Sequence, residues 1–332
     1  MQAIAVINFG SDLAAVEAPD PLPGANQVLV RNAACGLNNI DLLIKAGGVI
    51  PSETTPLPHI LGVEGAGTIE AVGSEVKTFA IGDRVMWLGN IGAGGYGPLT
   101  AIDASYVVKI PTNVPFNVAA SAPVAYTTAR NIIFNYGAPA SGDWLLVHSA
   151  AGGVGSAILQ ISRNAGFRTI ALTSSAKLDY AKRQGADVAI DRRAPDLIDR
   201  IKRTVGVSGI ALSLNSVGGD TILHDAEVLG DFGQIVSFGH LGGLPSGSAA
   251  ELLMPHFGKS IGIRVSDLFT LWRSQKVRFN AILKEISADL GNGVIMPHID
   301  SSFPVARANA AHSRLQSGAA IGKITLQHSL SA

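Results

Sequence analysis

The chain has 332 residues, 47% of them apolar and 15% charged, with 38 glycines and a formal net charge of zero. That length supports two domains with their own cores, and the composition suits a globular α/β protein with many tight turns. Neutral charge gives no steering towards nucleic acid or an anionic membrane, and a single cysteine, Cys35, excludes an intrachain disulfide and a cysteine-rich zinc lobe.

No basic segment opens Met1 to Gly10, and no apolar run reaches the roughly 18 residues of a membrane span, so a cytoplasmic protein is expected. Residues 1 to 118 read as a β-rich domain. Ala3 to Ile7 and Val28 to Ala33 are strand candidates, separated by the turn-forming Pro19, Pro21, Pro23 and Gly24. Cys35 to Gly47 begins as a loop and becomes a short helix, and Pro51 to Pro58 is a proline-rich loop. Ile60 to Gly73 mixes glycines with strand formers, and Phe79 to Trp87 is a turn followed by a strand. Gly89 to Gly97 is a candidate mobile loop whose one large side chain is Tyr96, and Tyr106 to Pro111 closes this part with a strand.

Residues 119 to 262 centre on Trp144 to Gly155. Ala119 to Phe134 reads as a helix pair broken near Pro123. The apolar run Leu145–Val147 suits a buried parallel strand, and it leads through Ala150-Ala-Gly-Gly-Val-Gly155 into a helix over Ser156–Ser162. Strand, glycine turn and helix in that order form a dinucleotide fingerprint, although Ala150 replaces its first glycine. Gly152 and Gly153 let the backbone approach a pyrophosphate, and the helix N-terminus offers it unpaired N–H groups. A second strand, Phe167 to Thr173, ends in Thr173-Ser174-Ser175-Ala176-Lys177 where an NAD-binding chain typically carries an acid. Hydroxyls and an ammonium hold a 2′-phosphate that a carboxylate repels, so the expected cofactor is NADPH. The third strand, Val188 to Ile190, ends in Asp191-Arg192-Arg193. From Lys177 to Arg203 there are eight Lys/Arg against five Asp, a local excess that fits a phosphate site, with a solvated rim as the alternative. Further strands are expected at Gly209–Leu214 and Gly233–Gly239. Phe279 to Leu290 reads as an amphipathic helix and Ile321 to Leu326 as a final strand. The expected architecture is α/β: a Rossmann domain, 119–262, inserted in a discontinuous β-rich domain of 1–118 and 263–332.

The motifs Pro23 to Val30, Gly36 to Asp41, Gly62 to Gly67, Val72 to Val76, Gly82 to Val85, Ala150 to Gly155, Ser216 to Gly218, Ser237 to Gly239 and Gly322-Lys323 run in this order along nearly the whole chain. In order and spacing the chain resembles the medium-chain dehydrogenase/reductase superfamily, in its zinc-free, zeta-crystallin-like quinone oxidoreductase branch. The resemblance implies a GroES-like catalytic domain around the Rossmann domain. It also places the three zinc-ligand positions of related alcohol dehydrogenases at Asn38, Val63 and near Val124, an amide and two aliphatics that cannot hold zinc. Asn38 and Thr128 are implied contacts of the nicotinamide end, Gly152, Gly153 and Val154 of the pyrophosphate, and Thr173, Ser174 and Lys177 of the 2′-phosphate. Arg192 and Lys323 are further cofactor candidates, with contact of either to the 2′-phosphate left open. Val217, Phe238, Gly239 and His240 are implied to line the crevice near the nicotinamide. Arg192 replaces a common Tyr or His, and Leu43 a tyrosine that similar proteins often place there.

Without a Lewis acid, the accessible chemistry is hydride transfer from NADPH to a quinone or to the β-carbon of an α,β-unsaturated carbonyl compound. Such a step needs positioning, exclusion of water and a donor to the developing oxyanion. Asn38 is the candidate to orient the nicotinamide or donate to the carbonyl. Tyr96 is a candidate substrate contact or proton relay, with a loop anchor as its alternative reading. His148 is read as fixing a loop, and Asp41 as orienting the Asn38 loop or capping the next helix. Other activated alkenes, such as acrylates or acyl thioesters, remain alternative substrates, and a non-catalytic, crystallin-like NADPH-binding protein is the alternative class. The resemblance implies a homodimer, with no nucleic-acid or membrane partner.

Overall fold

A computed structural model describes residues 1–48 and 56–328. The proline-rich loop expected from Pro51 to Pro58 lies largely outside them. Two compact units result, one of residues 1–127 with 269–332 and one of residues 128–268. Both boundaries fall later than 118/119 and 262/263, for identifiable reasons. The N–H of Val124 donates to buried Glu64 at 2.7 Å, tying the start of the Pro123–Phe134 helix to the first unit. At the other boundary, Gly262–Val265 pairs with a strand of the second unit.

The first unit contains β1 (Gln2–Val6), β2 (Ala14–Glu17), β3 (Gln27–Leu37), β4 (His59–Ile60), β5 (Glu64–Val72), β6 (Arg84–Leu88), β7 (Leu99–Asp103) and β8 (Val107–Lys109). Later in the chain come β15 (Ile299–Pro304) and β16 (Lys323–Gln327). One sheet has the order β2-β1-β4, and the other β15-β16-β3-β5-β6-β8 with β7 also on β3. The hub is β3, which pairs with β5, β7 and β16. It runs on through Cys35–Leu37, where a loop is expected, because those residues pair with Ile324–Leu326. Strand β2 has no clear alternating pattern in its sequence, and it forms by pairing with β1.

The Gly89–Gly97 loop differs most from expectation. Its second half is packed, not loose: Gly95 and Tyr96 donate backbone N–H groups to Gly62 and Leu61, and Gly95 O accepts from His328 Nε2 at 2.9 Å. Tyr96 is fully buried among Leu61, Ile44 and Leu326, with its hydroxyl 2.9 Å from His312 Nε2. Its burial and its bond to His312 match the loop-anchor reading of Tyr96.

The second unit is a six-stranded parallel sheet of β9 (Trp144–Val147), β10 (Arg168–Thr173), β11 (Val188–Asp191), β12 (Ile210–Asn215), β13 (Leu229–Ser237) and β14 (Gly262–Val265). Their order is β11-β10-β9-β12-β13-β14, so strand order reverses between β9 and β12. Leu146, Ile170, Leu172, Ile190, Ile210 and Ile235 form part of a continuous core, as strands buried on both faces require. The Gly153–Ala165 helix follows β9 directly. Gly155 permits that packing, because a Cβ there would lie 2.5 Å from Ser149 O and 2.6 Å from Ala150 Cα.

Both obstructing atoms are backbone and cannot step aside. Gly155→Ala is therefore expected to destabilise the second unit by about 1–3 kcal/mol, the usual range for overpacking; an unchanged denaturant midpoint would show that the turn can shift. The Tyr96 anchor predicts acid sensitivity. Burial, helped by nearby Lys45, pushes the His312 imidazole down to about 4. Below about 6.5 the unfolded chain takes up this proton and the folded chain does not, so stability is lost at up to about 1.4 kcal/mol per pH unit until the folded value is reached. Burial also pushes His59 and His328 down. Denaturation series from pH 7 to 4.5 should thus show a steep loss that His312→Gln makes shallower; an unaltered slope would assign the sensitivity elsewhere.

Candidate functional site

In the second unit the candidate cofactor residues gather at the carboxyl ends of the strands. Gly152 caps the helix after β9 in an extended conformation. The N–H groups of Gly153, Val154 and Gly155 fall in the first helical turn, which has no intrahelical acceptors for them. Together with the helix dipole they suit a pyrophosphate. Thr173 is the last residue of β10, and its carbonyl accepts the Arg192 N–H at 2.8 Å. Arg192 therefore starts beside Thr173 and Ser174, with its side chain exposed, and Lys177 ends the short turn that follows. The nearest carboxylate along β11, Asp191, accepts the Arg193 N–H at 3.0 Å.

The strand-order reversal, where ligands of open α/β sheets bind, rests on a buried polar network. The Asp225 carboxylate accepts from His148 Nε2 at 2.7 Å, Ser213 Oγ at 2.8 Å and Asn215 Nδ2 at 2.7 Å. It thereby fixes His148 with its proton on Nε2. Asn215 Oδ1 in turn accepts the N–H groups of Val217 and Gly218, both at 2.9 Å. Val217 O accepts from Gly242 N, and Asn215 O from Phe238 N, so the loops after β12 and β13 are stitched together. Val217, Phe238 and Gly239 are half-buried on this face, and His240 is exposed. Thr128 is buried in the helix of Pro123–Phe134. The network residues Ser213, Asn215 and Asp225 are not legible as site residues in the sequence; Asn215, just before Ser216-Val-Gly218, carries the one available signal.

Asn38 lies in the first unit, between β3 and the Asn39–Lys45 helix. Asp41 reaches back to the Asn38 N–H at 2.9 Å and also accepts from Gly62 N at 3.1 Å. It both orients the Asn38 loop and caps the helix. Burial raises its carboxyl to about 7, against the two backbone N–H bonds that favour the charged form. Burial likewise pushes the Cys35 thiol well up, the character of a small core hydrophobe. Asn38 Nδ2 donates to Glu64 Oε1 at 2.8 Å and makes a longer 3.3 Å bond to Gly36 O.

For Lys323 the sequence leaves contact with the 2′-phosphate open. Its ammonium is buried in the first unit, donating to Asn38 Oδ1 at 2.7 Å, Glu64 Oε1 at 2.7 Å and Leu37 O at 3.0 Å. All three protons are used, so none is available to a 2′-phosphate. Sequence reasoning misses this because the bonded partners stand more than 250 residues away along the chain.

These residues do not fit a metal ion. Asn38 is committed to Lys323 and Glu64, and Glu64 spends Oε1 on Lys323 and Asn38 and Oε2 on Val124 N. An ammonium 2.7 Å from the one carboxylate opposes a second cation there. Among the described residues, no three His, Cys, Asp or Glu side chains gather as metal ligands.

Comparison with known proteins agrees with this architecture. Residues 24–112 match the alcohol dehydrogenase GroES-like domain family, and residues 184–326 the zinc-binding dehydrogenase family. The chain is 30% identical to a quinone oxidoreductase of Lama guanicoe, over 98% of this chain and 97% of that one. It is 31% identical to a probable quinone oxidoreductase of Schizosaccharomyces pombe, over 92% and 90%. The crystal structure of Escherichia coli quinone oxidoreductase complexed with NADPH superposes with a TM-score of 0.89 at 28% identity, covering 98% of this chain and 100% of the other. The chain therefore belongs to the medium-chain dehydrogenase/reductase superfamily, in its zeta-crystallin-like branch, as an oxidoreductase of the quinone oxidoreductase type.

Proposed function

We propose that this protein uses NADPH to reduce quinones, or the C=C bond of α,β-unsaturated carbonyl compounds, without a catalytic metal. The observation that carries the cofactor choice is the β10 terminus. Thr173 and Ser174 stand there with no carboxylate before Asp179, and the Arg192 backbone is bonded to Thr173. Hydroxyls at the strand end, with Lys177 next in the chain and the Arg192 backbone alongside, favour a 2′-phosphate, whereas an NAD site typically presents an acid to the ribose at the end of this strand. The E. coli relative was crystallised with NADPH, which supports the same reading.

In this proposal Gly152, Gly153 and Val154 take the pyrophosphate, Thr173, Ser174, Lys177 and Arg192 the 2′-phosphate, and Val217, Phe238, Gly239 and His240 the nicotinamide side, with Thr128. When bound, the reduced nicotinamide supplies the hydride. Asn38 orients the nicotinamide or hydrogen-bonds the acceptor carbonyl, and its fixed amide is ready before charge develops. Asp41 holds the Asn38 backbone. Solvent supplies the proton, with Tyr96 buried away from the surface as a loop anchor. The proposal includes a cytoplasmic homodimer. Its contact is the free side of β14, an edge strand with Val265 exposed and Phe257 exposed just before it.

Loss of reduced-nicotinamide absorbance against a panel of quinones, enones and acrylates tests the function. NADPH should be preferred over NADH, and Lys177→Ala with Arg192→Ala should raise KM for NADPH by tenfold or more while leaving that for NADH within twofold. Equal effects on both cofactors would remove the 2′-phosphate assignment. Asn38→Ala should lower kcat by roughly one to two orders of magnitude, in the manner of a lost oxyanion donor; an unchanged kcat would take Asn38 out of the chemistry.

A further inference from the structure

Asn38 is held in a way that ordinary packing does not explain. Its carboxamide lies between two buried charges: the Lys323 ammonium 2.7 Å from Oδ1 and the Glu64 carboxylate 2.8 Å from Nδ2. An ammonium can only donate and an ionised carboxylate only accept, so one amide orientation satisfies both. Rotating the amide by half a turn would set N–H against ammonium and C=O against carboxylate. The charges are themselves bonded at 2.7 Å, so the arrangement is a closed triangle of Lys323, Glu64 and Asn38. Its outer corners are fixed as well. Lys323 donates to Leu37 O, Glu64 accepts from Val124 N, and Gly36 lacks the Cβ that would otherwise sit 2.2 Å from Glu64 Oε1.

Each charge also polarises the amide in the same sense. The ammonium draws density through the carbonyl oxygen, and hydrogen bonds in such a chain strengthen one another at low dielectric. Glu64 and Lys323 are buried whereas Asn38 is partly exposed, so Asn38 is the corner of the triangle nearest a ligand's reach. Its second N–H makes only the 3.3 Å bond to Gly36 O and is the one that can be redirected.

We infer that Lys323 and Glu64 are positioning residues for the reaction, acting through Asn38: they fix which end of its amide meets the cofactor or acceptor. The inference rests on the proposed role of Asn38 in the reaction. It requires the pair to be charged, not merely space-filling.

Removing Lys323 alone would strand a buried carboxylate, so the informative variant is the neutral pair Lys323→Met with Glu64→Gln. Two readouts are needed on the full-length protein, with folding checked by thermal melting. The first needs no turnover: solvent exchange of the Asn38 side-chain amide protons, assigned by their loss in Asn38→Ala. Exchange should accelerate at least tenfold in the neutral pair; unchanged exchange overturns the inference whatever the activity. The second is a kinetic cycle with Asn38→Ala. The neutral pair should lower kcat at least tenfold with less than threefold change in acceptor KM. Combining it with Asn38→Ala should cost less than twofold beyond Asn38→Ala alone. Multiplying effects would mean that the pair acts independently of Asn38 and would overturn the inference. If the wild type turns over no acceptor, the proposed function falls and the exchange measurement alone decides whether the pair fixes Asn38.

Discussion

The first unit depends on one buried ion pair, Lys323 with Glu64. It joins the first residue of β16 to the first residue of β5, and through Leu37 O and Val124 N it reaches the end of β3 and the start of the Pro123–Phe134 helix. Desolvating two charges is expensive, and a buried pair often adds little net stability over an apolar substitute. Breaking one by removing a single partner costs about 3–5 kcal/mol, because the other charge is left uncompensated. The sequence around it is arranged for that constraint. Glycine at 36 makes room for the carboxylate, and each carboxylate oxygen has at least one donor. The arrangement secures a specific amide in a specific orientation, a use of buried charge for specificity over stability.

The second unit solves a parallel problem with the same economy. Loops that line a ligand crevice cannot bury much apolar surface, so their backbone needs other supports. Asp225 gathers three donors and Asn215 passes that order on to the N–H groups of Val217 and Gly218. Both units thus place a buried carboxylate behind an asparagine. In the first unit the asparagine is the exposed corner; in the second it is buried and holds the loop.

What the sequence makes legible is what is local. The strand, glycine turn and helix of Trp144–Ala165 occupy consecutive residues, and the parallel strands announce themselves as apolar runs. The Gly152–Val154 turn is visible for the same reason, whereas Asn38 is singled out only through the resemblance to the family. What the sequence leaves open or places differently involves partners distant in the chain. Whether Lys323 reaches the 2′-phosphate stays open in the sequence because no local pattern reveals its pairing with Glu64. Tyr96 stays open between a substrate contact and a loop anchor because His312 and His328, which help to fix that loop, come more than 200 residues later. Strand β3 is read as ending early because Gly36-Leu-Asn-Asn39 has turn composition, while β16, its partner there, is contributed by the far end of the chain.

That placement of β16 bears on how the chain folds as it is made. Residues 128–268 are contiguous, so the parallel-sheet unit can close as soon as it has emerged. The other unit cannot, because β16 lies in the interior of its larger sheet, between β15 and β3. Until residue 327 is available, β3 presents an unpaired edge at Ala34–Leu37, and Glu64 is a carboxylate without its ammonium. Open strand edges invite mispairing. The Ala34–Leu37 end of β3 therefore stays without this partner until β16 has been made, so a strand from far along the chain closes a sheet begun by its earliest strands.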